Sequence, residues 1–356
     1  MTERVKRLLD SMRLGEHEGV VVYDPSNMFY LSGYTGEGLV LVARGISAII
    51  TDFRYTEQAQ AQAPGFEVLM TEKGKSHEDI AGALCASGGI DTLYYEDDFV
   101  TVHTFNALRE SVRGVEWKVV GSEIARLREI KDEGELALIR QACRITGEAF
   151  ERILPHIKEG VTEKELALRL DFDMMSHGAS KPSFSTIVAA GANGSLPHAV
   201  PGEYRLRRGD MITMDFGARY GNYCADMTRT VALGEPTGEM RKVYQTVLEA
   251  QLAGIAVTKA GVPGKSIDAA ARKVIEDAGY GEYFGHGYGH SLGIEIHESP
   301  NANTRDETLL PVGAVVSAEP GIYLPGKFGV RIEDVTVLTA DGCMVLTKSP
   351  KELIIL

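Results

Sequence analysis

The sequence has few cysteines, no long apolar run and too few basic residues to balance its acidic ones. The four cysteines form no C-x-x-C pair, which favours a reducing compartment over a disulfide framework: Cys85, Cys143, Cys224 and Cys343. No run of about 18 apolar residues occurs, so we expect no membrane span. The formal net charge of -13 argues against a nucleic-acid or anionic-membrane partner.

The N-terminus also lacks the apolar stretch of a signal peptide and is typical of an amphipathic helix. Together with the cysteine pattern, this predicts a cytoplasmic protein. An apolar content of 44% and a charged content of 24% are ordinary for a globular chain. A length of 356 residues favours two domains.

A change of pattern along the chain locates the domain boundary. Up to about residue 120, short apolar strands alternate with helical segments, which is typical of a small α/β domain. A charge-rich segment then leads into a long helix. We therefore predict an N-terminal domain over residues 1–125 and a second domain over residues 126–356.

A short hairpin in the second domain carries two carboxylates, Asp215 and Asp226. Both are expected within strands, where an unpartnered buried charge would cost several kcal/mol. A turn at Tyr220-Gly221 would place the two aspartates opposite each other, about 5 Å apart. A turn at Gly221-Asn222 would move Asp226 one diagonal step away on the same face. The hairpin alone leaves both registers open, as well as a solvated strand face.

The second domain contains an internal repeat. The segment Lys158–Leu166 matches Lys259–Ile267 at an offset of 101, and the histidines His198 and His297 match at an offset of 99. The segment Leu206–Gly217 matches Leu310–Gly321 at an offset of 104, which aligns Asp215 with Glu319. The next carboxylates, Asp226 and Glu333, are 107 apart. Two copies of helix, helix, loop histidine and carboxylate hairpin predict a pseudo-two-fold α+β half-barrel.

Four strand-borne carboxylates that converge in one interior require cations. Two divalent metal ions would supply the charge, with four oxygen donors and one imidazole as ligands. The glycine-rich segment Phe284-Gly-His-Gly-Tyr-Gly-His-Ser-Leu-Gly293 offers the imidazole, from His286 or His290. A phosphate-binding loop is disfavoured because the lysine and the Ser/Thr of a P-loop are missing.

These residues together resemble the pita-bread metallopeptidases, and within them the proline-specific Xaa-Pro dipeptidases (prolidases) and Xaa-Pro aminopeptidases. The matching motifs are Gly-His-Gly-x-Gly-His-x-x-Gly around His290, Ala-Glu-Pro-Gly-Ile-Tyr around Glu319 and Val-Arg-Ile-Glu-Asp around Glu333. The N-terminal segments Ser26–Tyr34 and Thr51–Tyr55 are similar to those of the creatinase-type domain. The resemblance covers the whole chain. It implies an α+β pita-bread catalytic domain that follows a smaller creatinase-type α/β domain.

The resemblance implies a role for each site residue. The metal ligands would be Asp215, Asp226, His290, Glu319 and Glu333. The ions would be Mn²⁺ or Co²⁺ in the first place, with Fe²⁺ or Zn²⁺ possible, and they would hold a bridging hydroxide that attacks the peptide carbonyl. Glu319 would also take the proton of the water and pass it to the leaving proline nitrogen.

The remaining site residues are three histidines and one arginine. His198 and His297 would bind substrate and steady the oxyanion-like intermediate. His286 and Arg331 would orient substrate or ligands, although a simple salt bridge from Arg331 to Glu333, on the same strand face, is an alternative. A lone loop histidine is usually solvated, but the symmetric positions of His198 and His297 count against that.

The resemblance implies a peptidase that hydrolyses the Xaa-Pro bond at the N-terminus of dipeptides or short peptides, and that forms a homodimer. Two alternatives are an inactive pita-bread binding protein and a creatinase-like hydrolase, both of which would be expected to depart from the ligand pattern. The sequence leaves open whether the protein is a dipeptidase or an aminopeptidase. Asn301 occupies a position where some dipeptidases carry arginine, which counts mildly against a strict dipeptidase.

Overall fold

The computed structural model describes residues 1–356 and divides into two compact units, residues 1–128 and 129–356. None of its helices combines the length and apolar character needed to cross a bilayer.

The first unit is a mixed sheet with helices. Its six strands lie in the order β4 (Glu67–Met70), β3 (Ile46–Thr51), β2 (Leu39–Ala43), β1 (Glu18–Val22), β5 (Thr92–Tyr95) and β6 (Glu116–Val119). Pairing is antiparallel from β1 through β3 and parallel elsewhere. The β-branched and leucine runs of the central strands are fully buried, as expected for strands covered on both faces. Its elements are α1 (Glu3–Ser11), β1 (Glu18–Val22), α2 (Pro25–Ser32), β2 (Leu39–Ala43), β3 (Ile46–Thr51), α3 (Thr56–Gln62), β4 (Glu67–Met70), α4 (His77–Gly88), β5 (Thr92–Tyr95), α5 (Val102–Ser111), β6 (Glu116–Val119) and α6 (Glu123–Glu129), which ends at the boundary.

The second unit repeats one order of elements. A pair of helices precedes a set of short strands, and the same order then occurs again. The first copy contains α7 (Glu133–Ile153), α8 (Glu163–Ser176), β7 (Lys181–Pro182), β8 (Ile187–Ala190), β9 (Asp210–Phe216), β10 (Ala218–Tyr220), β11 (Tyr223–Cys224) and β12 (Met227–Leu233). The second contains α9 (Gly238–Val257), α10 (Gly264–Asp277), β13 (Gly289–Ser291), β14 (Glu298–Ala302), β15 (Val315–Ala318), β16 (Gly321–Leu324), β17 (Phe328–Arg331), β18 (Asp334–Leu338) and β19 (Cys343–Val345).

Each copy has its own apolar core beneath its helix pair. In the first, Phe150 and Leu170 of the helices pack with Ile212 and Met214 of β9. In the second, Val247 and Ile267 belong to one cluster with Val316 and Val330. The cores fix the helices and strands of each copy, so the side chains on the opposite strand face can line a polar cavity.

The register of the first hairpin follows from its turn. Gly221 and Asn222 both have positive φ, 56° and 68°, and Tyr220 pairs with Tyr223. A two-residue turn with both central residues left-handed matches the twist of antiparallel strands. Asp215 therefore stands opposite Thr228, and Asp226 lies one diagonal step away. This is the second of the two registers that the sequence allowed.

The prediction that all four carboxylates lie within strands was wrong for three of them. Asp215 is in β9, but Asp226, Glu319 and Glu333 occupy short breaks between consecutive strands. At the first break the chains approach so closely that a Cβ at Gly217 would come 1.8 Å from the Ala225 carbonyl oxygen. Such breaks redirect side chains away from the regular alternation of a strand.

Candidate metal centre

A cavity of about 550 Å³ lies within the second unit. Its lining includes every site residue that the sequence predicted: His198, Asp215, Asp226, His286, His290, His297, Glu319, Arg331 and Glu333. The repeat explains the convergence, because each copy directs the side chains of its carboxylate hairpin to the same interior.

Three of these residues form a group with metal-ligand spacing. One donor atom from each of Asp226, His290 and Glu333 lies within 4.8 Å of the other two. Glu319 is adjacent, with its Oε1 3.3 Å from His290 Nε2. Asp226 Oδ2 is 3.6 Å from the same nitrogen. Three of the four predicted carboxylate ligands, Asp226, Glu319 and Glu333, therefore lie around His290.

The protonation state of His290 suits a ligand. Its Nδ1 lies 3.1 Å from the Ser291 carbonyl oxygen, which can only accept, so Nδ1 carries the proton. Burial lowers the pKa of His290, which favours the neutral ring that a metal ligand requires. Nε2 then directs a lone pair towards two carboxylates, which is repulsive unless a cation lies between them.

Three of the carboxylates each keep one oxygen that has no hydrogen-bond partner. One oxygen each of Asp215, Asp226 and Glu333 is buried without a hydrogen bond. Burial raises the pKa of both Asp226 and Glu333; the nearby Glu333 raises that of Asp226 further, and the nearby Glu319 raises that of Glu333 further. Burial also raises the pKa of Glu319 to about 7. A set of carboxylate oxygens with one imidazole and no thiolate fits hard or borderline divalent ions.

Arg331 pairs with Asp215 and not directly with Glu333. Its Nη2 donates to Asp215 Oδ2 at 2.6 Å, and both side chains are largely buried. Its Nε donates to the Thr228 hydroxyl at 3.0 Å, and that hydroxyl donates to Glu333 Oε2 at 2.8 Å. The link to Glu333 is therefore indirect, so the proposed simple salt bridge between Arg331 and Glu333 does not form.

A second chain of hydrogen bonds leads from Arg331 to His286. Arg331 Nη1 donates to the Tyr323 hydroxyl at 2.8 Å, and that hydroxyl lies 2.9 Å from His286 Nε2. His286 Nδ1 contacts the Gly287 carbonyl oxygen at 2.8 Å, so it must be the donor. Burial and the neighbouring Arg331 lower the pKa of His286 to about 4. The ring is neutral, and its Nε2 accepts from Tyr323.

The two loop histidines lie at the same cavity. The rings of His297 and His290 meet edge to face, with centroids 4.5 Å apart. Burial, followed by the nearby His290, lowers the pKa of His297. His198 lines the cavity from a loop that begins with the 3-10 turn Gly191–Ser195.

Three polar residues at the site were missed from the sequence: Thr228, Tyr323 and Ser317. The Ser317 hydroxyl accepts from the His290 amide and donates to Glu319 Oε1 at 3.2 Å. Thr228 could have been found, because it is two positions from Asp226 at the start of a strand. Tyr323 belongs to the Ala-Glu-Pro-Gly-Ile-Tyr motif, and its contact with Arg331 across a hairpin had no local signal.

The cavity brings together carboxylate and imidazole donors of the kind that bind divalent metal ions in metalloenzymes. The chain belongs to metallopeptidase family M24, whose model matches residues 137–340. The model of the creatinase/prolidase N-terminal domain matches residues 4–130. The predicted architecture, a pita-bread catalytic domain after a creatinase-type domain, is confirmed, and so is the metallopeptidase class.

Solved structures and curated relatives agree over almost the full chain. A structure described as Xaa-Pro dipeptidase from Bacillus anthracis is 41% identical, with a TM-score of 0.96 and 99% of each chain covered. One described as X-Pro aminopeptidase from Thermotoga maritima is 38% identical, with a TM-score of 0.92 and coverage of 98% of this chain and 100% of the other. The Xaa-Pro dipeptidase of Pyrococcus furiosus is 36% identical over 358 residues, covering 99% of this chain and 100% of its own.

Proposed function

We propose that the protein hydrolyses the Xaa-Pro bond at the N-terminus of short peptides with the help of two divalent metal ions. Asp215, Asp226, His290, Glu319 and Glu333 would hold the ions. The observation that carries this proposal is the grouping of donor atoms from Asp226, His290 and Glu333 within 4.8 Å of one another, in a cavity where Asp215, Asp226 and Glu333 each keep one buried oxygen without a hydrogen bond. The names of the relatives from Bacillus anthracis, Thermotoga maritima and Pyrococcus furiosus support proline specificity.

When bound, the ions supply a Lewis acid for the scissile carbonyl and lower the pKa of water towards neutrality. Glu319 is a carboxylate that lines the cavity, so it can accept a proton and return it. We assign it the transfer of a proton to the leaving proline nitrogen. His198 and His297 would donate hydrogen bonds to the oxygen on which negative charge develops.

Arg331 and His286 would orient the substrate or the metal ligands. Arg331 donates a hydrogen bond directly to Asp215 and is linked to Glu333 through the Thr228 hydroxyl. Tyr323 keeps the His286 ring in the Nδ1-protonated form, with Nε2 engaged. Arg331 and His286 are therefore occupied by protein groups, whereas one oxygen each of Asp215, Asp226 and Glu333 is left to bind a cation.

The cavity lining favours substrates that continue beyond proline, so that the proline carbonyl group is part of an amide and not a free carboxylate. Arg331 is the only lysine or arginine that lines it, and all its guanidinium nitrogens already donate to protein groups. Asn301 lines the cavity with a neutral amide. We therefore expect Xaa-Pro-Xaa tripeptides to be cleaved at least as well as Xaa-Pro dipeptides. The choice of Mn²⁺ or Co²⁺ over Fe²⁺ and Zn²⁺, the homodimer and the cytoplasmic location stay predictions.

The test uses purified protein stripped with EDTA and reloaded with Mn²⁺, Co²⁺ or Zn²⁺ in turn. The substrates are an Xaa-Pro dipeptide, an Xaa-Pro-Xaa tripeptide and the matched Xaa-Ala-Xaa tripeptide. We expect hydrolysis of the proline peptides only, its loss in EDTA and its recovery with metal. Unchanged activity in EDTA would overturn the proposal and favour a creatinase-like reaction. Cleavage confined to the dipeptide would make the protein a strict prolidase.

A variant pair tests the ligand assignment separately. His290→Ala should abolish turnover and lower the bound metal measured by elemental analysis, whereas the exposed His103→Ala should change neither. Activity that survives in His290→Ala would refute its role as a ligand. Absence of both metal binding and turnover in the wild type would favour an inactive binding protein.

A further inference from the structure

The loop that carries His198 is closed at both ends by one buried carboxylate. The loop leaves β8 at Ala190 and returns at Gly202, and residues 197–201 line the cavity. Glu163, the first residue of α8, lies beneath it and is 1% exposed. Its Oε1 accepts from the Ala190 amide at 2.8 Å, and its Oε2 accepts from the Gly202 amide at 3.0 Å.

A side chain from within the loop completes the arrangement. The side-chain amide nitrogen of Asn193 (Nδ2) donates to both oxygens of Glu163, at 3.0 and 2.9 Å. Every donor to this carboxylate therefore comes from the loop. The helix N-terminus favours the negative charge at Glu163. The helix does not need Glu163 as a cap, because Thr162 and Glu165 already form a capping box.

The second repeat shows that the fold does not require a carboxylate at this position. The offset of 101 aligns Glu163 with Gly264, the first residue of α10. A Cβ at Gly264 would come 1.9 Å from the Asn301 carbonyl oxygen, so the chain that follows His297 packs directly on the helix start. The backbone amide of Asn301 donates to Asp306 Oδ2 at 2.9 Å, so the carboxylate in this copy comes from the segment that follows the histidine and not from the helix. The loops that carry His198 and His297 are therefore held in place by different contacts.

We infer that Glu163 is a positioning residue for His198. It fixes the ends of the loop, so the imidazole is held at the cavity before a substrate binds. Preorganisation of this kind matters because a displacement of about 1 Å can cost about 10²-fold in rate. This inference rests on the proposed function, in which His198 contacts the reacting peptide.

The variant Glu163→Gln tests the inference with almost no change of shape. The new amide nitrogen would face an N–H donor of Ala190 or Gly202, whichever way the group is turned, so the side-chain hydrogen bond to one end of the loop is lost. We expect kcat/KM on an Xaa-Pro-Xaa tripeptide to fall by about 10²-fold, mainly in kcat, with unchanged metal content by elemental analysis. Glu165→Gln is the matched control on the same helical turn, and it should retain wild-type activity within about twofold.

A double-mutant cycle separates positioning from general stabilisation. In a His198→Ala background, Glu163→Gln should cost less than about threefold, because the residue on which it acts is gone. An equal loss in both backgrounds would overturn the inference. If Glu163→Gln does not fold, Asn193→Ala removes the shared donor and should give a smaller loss with the same non-additivity.

Hydrogen exchange provides a readout independent of turnover. Amides of residues 190–202 should exchange faster in Glu163→Gln than in the wild type or Glu165→Gln, whereas residues 296–306 should not change. Unchanged exchange in residues 190–202 would refute the role of Glu163. A wild type that cleaves no Xaa-Pro peptide would refute the proposed function, and the exchange result would still decide whether Glu163 fixes the loop.

Discussion

Asp215 and Arg331 belong to different repeats and are joined by a 2.6 Å hydrogen bond in the buried interior of the cavity. The pair makes Asp215 unlike the other three carboxylates, because Arg331 neutralises one of its oxygens. The other Asp215 oxygen is buried without a partner and is directed to no protein donor. One oxygen of Asp215 thus faces a cation supplied by the protein, and the other is available to the proposed metal site.

Replacing Arg331 by lysine should lower kcat/KM by about 10²-fold or more. A guanidinium serves Asp215, Thr228 and Tyr323 at once in a fixed fork, whereas an ammonium is a single point of charge. Steady-state kinetics on an Xaa-Pro-Xaa peptide measure the effect. The exposed Arg144→Lys is the control, and wild-type rates in Arg331→Lys would contradict the argument.

Thr228→Val should weaken metal binding by about 10-fold or more and lower the free energy of unfolding by about 1–3 kcal/mol. Valine has nearly the same shape but removes the hydroxyl that joins Arg331 to Glu333. Metal titration by calorimetry and urea unfolding measure the two effects. Thr228→Ser keeps the hydroxyl and should stay close to the wild type, and equal losses in both variants would point to packing instead.

Glu333→Gln should raise the thermal midpoint of the metal-free protein and abolish its increase on addition of Mn²⁺. The substitution removes one of several like charges that burial and proximity disfavour. Metal binding stabilises only a folded protein that has an intact site. Thermal scans with EDTA and with Mn²⁺ give both quantities, and the exposed Glu159→Gln should behave as the wild type. A Mn²⁺-dependent increase that persists in Glu333→Gln would remove Glu333 from the ligand set.

His286 should make the folded state less stable on acidification. Its folded pKa is about 4, against an ordinary 6.5, because of burial and the neighbouring Arg331. Between these values the unfolded chain binds the proton and the folded chain does not, so the free energy of unfolding falls as the pH falls from 6.5 to 4. The contribution is about 3 kcal/mol at most.

The His286 effect is measured as a difference between proteins. Urea unfolding of the wild type and of His286→Gln, both in EDTA, should show a smaller acid loss in the variant. Parallel curves for the two proteins would show that His286 does not resist protonation. The exposed His103→Gln serves as the control.

Asn222→Ala should destabilise the protein by about 1 kcal/mol, because Asn222 has a φ of 68°. Asn222→Gly should be neutral or slightly stabilising at the same position, since glycine adopts this conformation without a Cβ clash. Chemical unfolding of the two variants measures the difference. Equal stability of the alanine and glycine variants would argue against the left-handed turn.

Patterns within the sequence were sufficient for the features that are local or repeated. The steady offsets aligned Asp215 with Glu319 and Asp226 with Glu333, and the structure brings all four to one cavity. The hairpin register stayed open because Tyr220-Gly221 and Gly221-Asn222 are both acceptable turns. The positive φ of Asn222 decides between them.

Features that depend on distant contacts had no such signal. Arg331 was expected near Glu333 on its own strand, but its partner Asp215 is 116 positions away. The strand break at Asp226 lies where the backbones of Gly217 and Ala225 approach closely, which alternation of apolar residues does not encode. Glu163 was read as part of a repeated helix start, and only its bonds to residues 190, 193 and 202 reveal its contact with the histidine loop.

The division of the cavity between two repeats has a kinetic consequence. Asp215 and Asp226 come from the first copy, whereas His290, Glu319 and Glu333 come from the second. Ions held by this set would act as cross-links between two halves of one domain. Separation of the halves would then require the ions to leave, so metal binding should slow unfolding far more than it accelerates refolding.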